Sequence, residues 1–125
     1  MLAGPWKTAT IDIDRASEFT GDDVDQFSSL VDLGADFEFL TVFVPTITSA
    51  VVEPWVQRDG AIATVPVAVV ALDDDATGHF AHATTAGTGG IVVTFRIGGC
   101  QYVRVKAAAN QAADRAFTIR GYNRS

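Results

Sequence analysis

Cysteine is all but absent from this chain, with Cys100 standing alone. One thiol forms no intrachain disulfide and cannot build a cysteine-based zinc site. Basic residues are scarce, with 9 Lys and Arg against 15 Asp and Glu and a formal net charge of −6. General nucleic-acid binding needs the opposite balance, so no nucleic-acid partner is expected. Long apolar runs are missing as well. The longest mostly apolar stretch, residues 61–72, is interrupted by Thr64 and Pro66. It falls short of the roughly 20 residues that span a bilayer, so no membrane partner is expected. No basic-then-apolar leader opens the chain, and no secretory signal is expected.

Catalytic signatures are equally thin. The only histidines are His79 and His82. On a strand, positions three apart face opposite sides, which makes a shared metal awkward. There is no G-x-S-x-G elbow, and Thr88-Gly89-Gly90 lacks the lysine of a phosphate loop. No residue supports an enzyme, and no cofactor or metal is expected.

What is present is a pattern of strands. The chain has 125 residues, of which 48% are apolar and 19% charged. That describes one globular domain spanning residues 1–125. Residues 8–14 alternate, with Ala9, Ile11 and Ile13 opposite Thr10, Asp12 and Asp14. Residues 30–33 suggest a short strand. Residues 37–44 are apolar on both faces, with Phe37, Phe39 and Phe43 on one and Leu40, Val42 and Val44 on the other. Residues 51–57 contain Pro54, which suggests an edge or a bulge, and Asp59-Gly60 follows as a turn. Residues 62–72 read as a valine-rich strand broken by Pro66, residues 79–84 as a weak strand, and residues 85–90 as a loop. Residues 91–97 alternate well, Gly98-Gly99 reads as a hairpin turn, and residues 101–106 and 117–122 complete the set. Only residues 22–29 suggest a turn of helix, capped by Thr20 or Asp22. Eight or nine short strands predict an all-β fold: a single antiparallel β-sandwich, jelly-roll-like in its layering, with under about a tenth of residues in helix. The expected core is Phe39, Leu40, Val42, Phe95, Ile97, Val103, Val105 and Ile119.

Three acidic clusters invite a metal test. Asp12 and Asp14 share a strand face, Asp22, Asp23 and Asp25 resemble a fragment of a calcium loop, and Asp73, Asp74 and Asp75 are consecutive. None has the spacing of an EF-hand, and solvation with protection of strand edges is the simpler reading. Trp6 and Trp55 could present aromatic platforms, or pack in the core or at a subunit contact.

Charge is unevenly placed. Residues 1–95 hold three basic residues against fourteen acids, whereas residues 96–125 hold six basic residues against Asp114 alone. In the last strands Val103 and Val105 alternate with Tyr102, Arg104 and Lys106; Phe117 and Ile119 alternate with Arg120 and Tyr122; and Arg96 lies opposite Phe95 and Ile97. If the apolar sets face the core, then Arg96, Tyr102, Arg104, Lys106, Arg120 and Tyr122 face outward as a partner-docking patch. The alternative is neutralisation by acids of the same subunit. The two-sided apolar strand and the valine-rich segment further predict a homo-oligomer, or a monomer docked on a lattice.

Several segments together resemble a diffuse group of small β-sandwich structural proteins of tailed bacteriophages. They are Ser29-Leu30-Val31-Asp32-Leu33-Gly34, the aromatic run from Phe37 that ends in Pro45-Thr46-Ile47, Gln57-Arg58-Asp59-Gly60, Tyr102-Val103-Arg104-Val105, and Arg120-Gly121-Tyr122. Residues 61–86 match no part of the pattern. The resemblance implies a virion protein located at the capsid surface. It would be a decoration or cement protein that binds the major capsid protein or other virion proteins, or part of a fibre or tail. It implies no catalytic residues. The alternative function is a carbohydrate-binding sandwich contacting the host cell surface.

Overall fold

The computed structural model describes residues 2–69 and 83–124. Eight strands form one antiparallel sheet: β1 (Leu2–Ala3), β2 (Lys7–Ile11), β3 (Val31–Val44), β4 (Ala50–Gln57), β5 (Val67–Ala68), β6 (Thr84–Gly87), β7 (Ile91–Ala107) and β8 (Arg115–Asn123). Their order is β1-β8-β3-β7-β4-β5, with β2 also on β8 and β6 also on β4. No helix occurs among the described residues. Residues 22–29 contain a single turn, in which the Asp23 carbonyl accepts from Gln26 N and Phe27 N, each at 2.9 Å.

Two strands set the shape. β3 has 14 residues and β7 has 17. The expected hairpin at Gly98-Gly99 does not form, because β7 continues as one strand through these residues. Both glycines have positive φ (76° and 87°), and so has Gly34 of β3 at 89°. Glycine adopts this conformation without steric cost, so it can re-aim a strand without reversing it. The β3–β7 register slips at the same level: Val31 and Asp32 face Val103 and Tyr102, whereas Phe39 to Val44 face Arg96 to Ile91. Both strands therefore bend together, and the sheet folds over on itself. The two layers expected of a jelly-roll-like sandwich come from one continuous sheet.

The first half consists of β8, the later part of β3 and residues 91–97 of β7. The second consists of residues 102–107 of β7 against β4, with β5 and β6 beyond. Leu40, Val42, Phe95, Phe117 and Ile119 of the first half share one buried cluster with Val52, Val103 and Val105 of the second. All eight expected core residues are buried. The register slip turns Phe37 away from its expected companions Phe39 and Phe43 and into this cluster. Its ring lies against Gly121 so closely that a methyl group there has no room.

Other boundaries shift for local reasons. β2 ends at Ile11 because Asp12 Oδ1 accepts from Asp14 N and makes a turn. Part of the expected 85–90 loop is strand β6, and the turn begins after Gly87. Among the described residues of the valine-rich segment, only Val67–Ala68 forms a strand. Residues 70–72 and 79–82 lie outside the described residues. β4 pairs with β7 along most of its length despite Pro54. The Pro54 carbonyl accepts from Val69 N at 3.4 Å, so its backbone polar edge points away from β7. The missing N–H thus removes no bond from the β4–β7 ladder.

Candidate interaction surface

The six expected docking residues divide between two outer faces. Tyr102, Arg104 and Lys106 alternate outward from residues 101–107 of β7, and the chain covers them. Arg104 is 0% exposed, so its predicted outward exposure is overturned. Its Nε donates to Gln57 Oε1 at 2.8 Å, one terminal nitrogen to Glu18 Oε1 at 2.9 Å, and the other to the Ile62 carbonyl at 3.1 Å. The guanidinium also lies 4.8 Å from the centre of the Phe19 ring. Residues 12–29 thus form a roof over the strand, and Arg104 is one of its fastenings. Arg15 is a second: it pairs with the same Glu18 carboxylate at 2.8 Å and with Asp22 at 2.6 Å. Alternation places a side chain on a face; it does not say whether a distant segment lies over that face.

Lys106 is also drawn inward. Its ammonium sits 5.0 Å from the Phe27 ring centre and 4.7 Å from that of Trp55. Phe27 in turn meets Trp55 and Phe19 edge-on, at 5.0 and 5.3 Å. Tyr102 is half-buried, with its ring against Gly60. Trp55 donates to Glu53 Oε1 at 2.8 Å, so it belongs to this covered layer.

Arg96, Arg120 and Tyr122 lie on the other outer face, which the described chain leaves bare. The sheet register builds it in rows. Thr118, Phe43 and Val92 form one; Arg120, Thr41 and Thr94 the next; Tyr122, Phe39 and Arg96 the third. Trp6, from the β1–β2 connection, packs edge-on against Phe43 at 5.5 Å, and the Arg120 guanidinium lies 4.7 Å over the Trp6 ring. Trp6, Phe43 and Val92 are 46%, 49% and 53% exposed. Phe39 is buried beneath Tyr122, which stacks on it at 5.1 Å, and Arg124 lies over the same ring. Arg96 is 59% exposed and pairs with Glu38 at 2.9 Å. Phe43 belongs to the second apolar face of 37–44, from which a contact with another protein is expected; Val92, its neighbour on β7, has no such signal in the sequence.

The two described acidic clusters, at Asp12 and at Asp22, serve local turns. Asp22 holds Arg15 and accepts from Glu18 N, and Asp23 Oδ1 accepts from Asp25 N. Among the described residues no group of three or more His, Cys, Asp or Glu could hold a metal. His79, His82 and Asp73 to Asp75 lie outside the described residues. Near the bend, a depression of about 550 Å³ is lined by Arg58, Asp59, Cys100 and Tyr102 among others. Burial and the nearby Asp36 carboxylate raise the Cys100 thiol pKa, which opposes formation of a reactive thiolate. The Thr64 hydroxyl and the Ala61 N–H hold the Asp59 pKa below its ordinary value.

Compared with known proteins, the chain matches no family model, no curated protein and no solved structure.

Proposed function

We propose that this protein is a structural virion component of a tailed bacteriophage, a capsid decoration or cement protein that docks through its bare sheet face and stabilises the particle. One observation carries the docking reading: Trp6, Phe43 and Val92 are exposed side by side on a rigid sheet, with Arg120 held over Trp6. Aromatic and arginine side chains presented together are the composition of interface anchors. The phage assignment rests on the sequence resemblance between residues 29 and 122. The major capsid protein, or another virion protein, is the proposed partner. The proposal includes a homo-oligomer, because Ile62, Val65 and Val67 at the β4–β5 margin are also exposed.

The test is co-sedimentation with particles of the corresponding phage stripped of this protein. Wild-type protein is expected to pellet with the particles and raise their resistance to heat. Phe43→Ser combined with Trp6→Ser is expected to stay in solution while remaining folded. Wild-type protein that fails to pellet overturns the proposal.

Exposure of Trp6 favours one second reading, carbohydrate binding at the host surface. Arg120 already occupies one side of that ring, and Trp55 and Tyr102 are engaged within the molecule. Trp6 fluorescence titrated with oligosaccharides tests this reading.

A further inference from the structure

We infer that the bare face takes an acidic protein segment bearing aliphatic side chains, and that it does not pair with the same face of a second copy. The inference rests on the docking reading above and names the partner's chemistry. Arg120 supplies the first argument. Its guanidinium carbon lies 4.7 Å over the Trp6 ring, and its Nε is buried, so an incoming acceptor meets the terminal nitrogens. A carboxylate is the acceptor that suits these guanidinium nitrogens best.

The surrounding rows supply the second argument. Thr41 beside Arg120 and Thr94 beyond it have short side chains, so a carboxylate can approach from that side. The neighbouring row presents Phe43 and Val92, two residues along each strand, or about 7 Å away. The matching partner has a carboxylate and an aliphatic side chain at that separation, as residues i and i+2 of an extended segment provide.

Charge gives the third argument. Among the described residues the face carries Arg96 and Arg120 against Glu38, and Glu38 already pairs with Arg96. Two copies meeting through this face would bring like charges together and offer the Arg120 guanidinium no carboxylate.

The test uses capped peptides in an amide-shift titration of the whole protein at low salt: repeats of Glu-Ser-Leu-Ser, which set glutamate and leucine two residues apart on one face, of Lys-Ser-Leu-Ser, and of Glu-Ser-Ser-Ser. The glutamate–leucine peptide is expected to bind at least about tenfold more tightly than either control. Shifts should centre on Thr41, Phe43, Val92, Thr94 and Arg120, and added salt should weaken them. Arg120→Gln should remove the preference for glutamate over lysine, and Phe43→Ser the preference for leucine over serine. In both variants the remaining amides should be unmoved. Equal binding of the lysine peptide, or shifts centred elsewhere, overturns the inference. So does a wild-type dimer that Phe43→Ser abolishes, or an oligosaccharide that moves these amides where the peptide does not. If particles bind but the glutamate preference fails, the partner chemistry is wrong and the docking function stands. If the preference holds but particles do not bind, the virion reading fails and the acidic partner stands.

Discussion

The two outer faces crossed by β7 begin from similar sequence and end differently. Residues 92–96 and 102–106 both place cationic side chains opposite core residues. Beyond the bend, Phe19 and Phe27 swing over the strand, and Arg104 and Lys106 become internal. Before the bend nothing among the described residues does so, and Arg96 remains 59% exposed. The same chemical pattern thus fastens a loop on one side and faces solvent on the other. The fate of a strand's outward side is decided by segments dozens of residues away.

Substitutions can break this contrast. The largest effect is expected for Arg104→Ala, which leaves Glu18 and the Ile62 carbonyl without a major partner. Removing one member of a buried ionic network typically costs about 3–5 kcal/mol. Urea unfolding measures it, and a loss below about 1 kcal/mol would show that the roof does not depend on this fastening. Gly121→Ala, in the half with the bare face, forces a methyl into the Phe37 ring. Overpacking of this kind costs about 1–3 kcal/mol, read from the same unfolding curves. Wild-type stability would show that Phe37 moves aside freely.

Arg96→Gln should change stability by no more than about 0.5 kcal/mol, because its pair with Glu38 is exposed and screened by water. A larger loss would place Arg96 in an interaction like that of Arg104. The smallest effect concerns Asp59. Its pKa is depressed by the bonds from Thr64 and Ala61, so the ionised form is favoured in the folded state. The stabilisation is present above the ordinary carboxylate value of 3.8 and is lost as pH falls through the depressed folded value. Protection of the Ala61 amide, taken relative to its intrinsic exchange rate, should therefore fall in acid more than that of the Val103 amide. Equal loss of protection at the two amides would remove the local explanation.

Much of the fold is legible in the alternation itself. Phe95, Ile97, Val103 and Val105 announce their burial because period-2 apolarity reports directly on a sheet's inner face. The continuity of β7 is not legible, because two adjacent glycines permit either a reversal or a bend. The choice depends on whether residues 91–97 pair with 101–106 or with β3, which local sequence does not encode. The burial of Arg104 has a faint signal in Phe19 and Phe27. These rings lie in a segment without strand character, so they must cover something. Half of the candidate site was therefore readable: Arg96, Arg120 and Tyr122 are on the bare face. Trp6 joins them only through its contacts with Phe43 and Arg120.

The shared passage of β3 and β7 through both halves also has a mechanical consequence. A load applied at Phe43 or Val92 enters strands that continue into the other half, without a linker on which the halves could swing apart. Along β3 and β7 that load runs parallel to the strands and is distributed over many rungs of the ladder at once, as in a lap joint. Loading across the strands would part them one rung at a time. The glycines at the bend leave a place where the joint can flex before it yields.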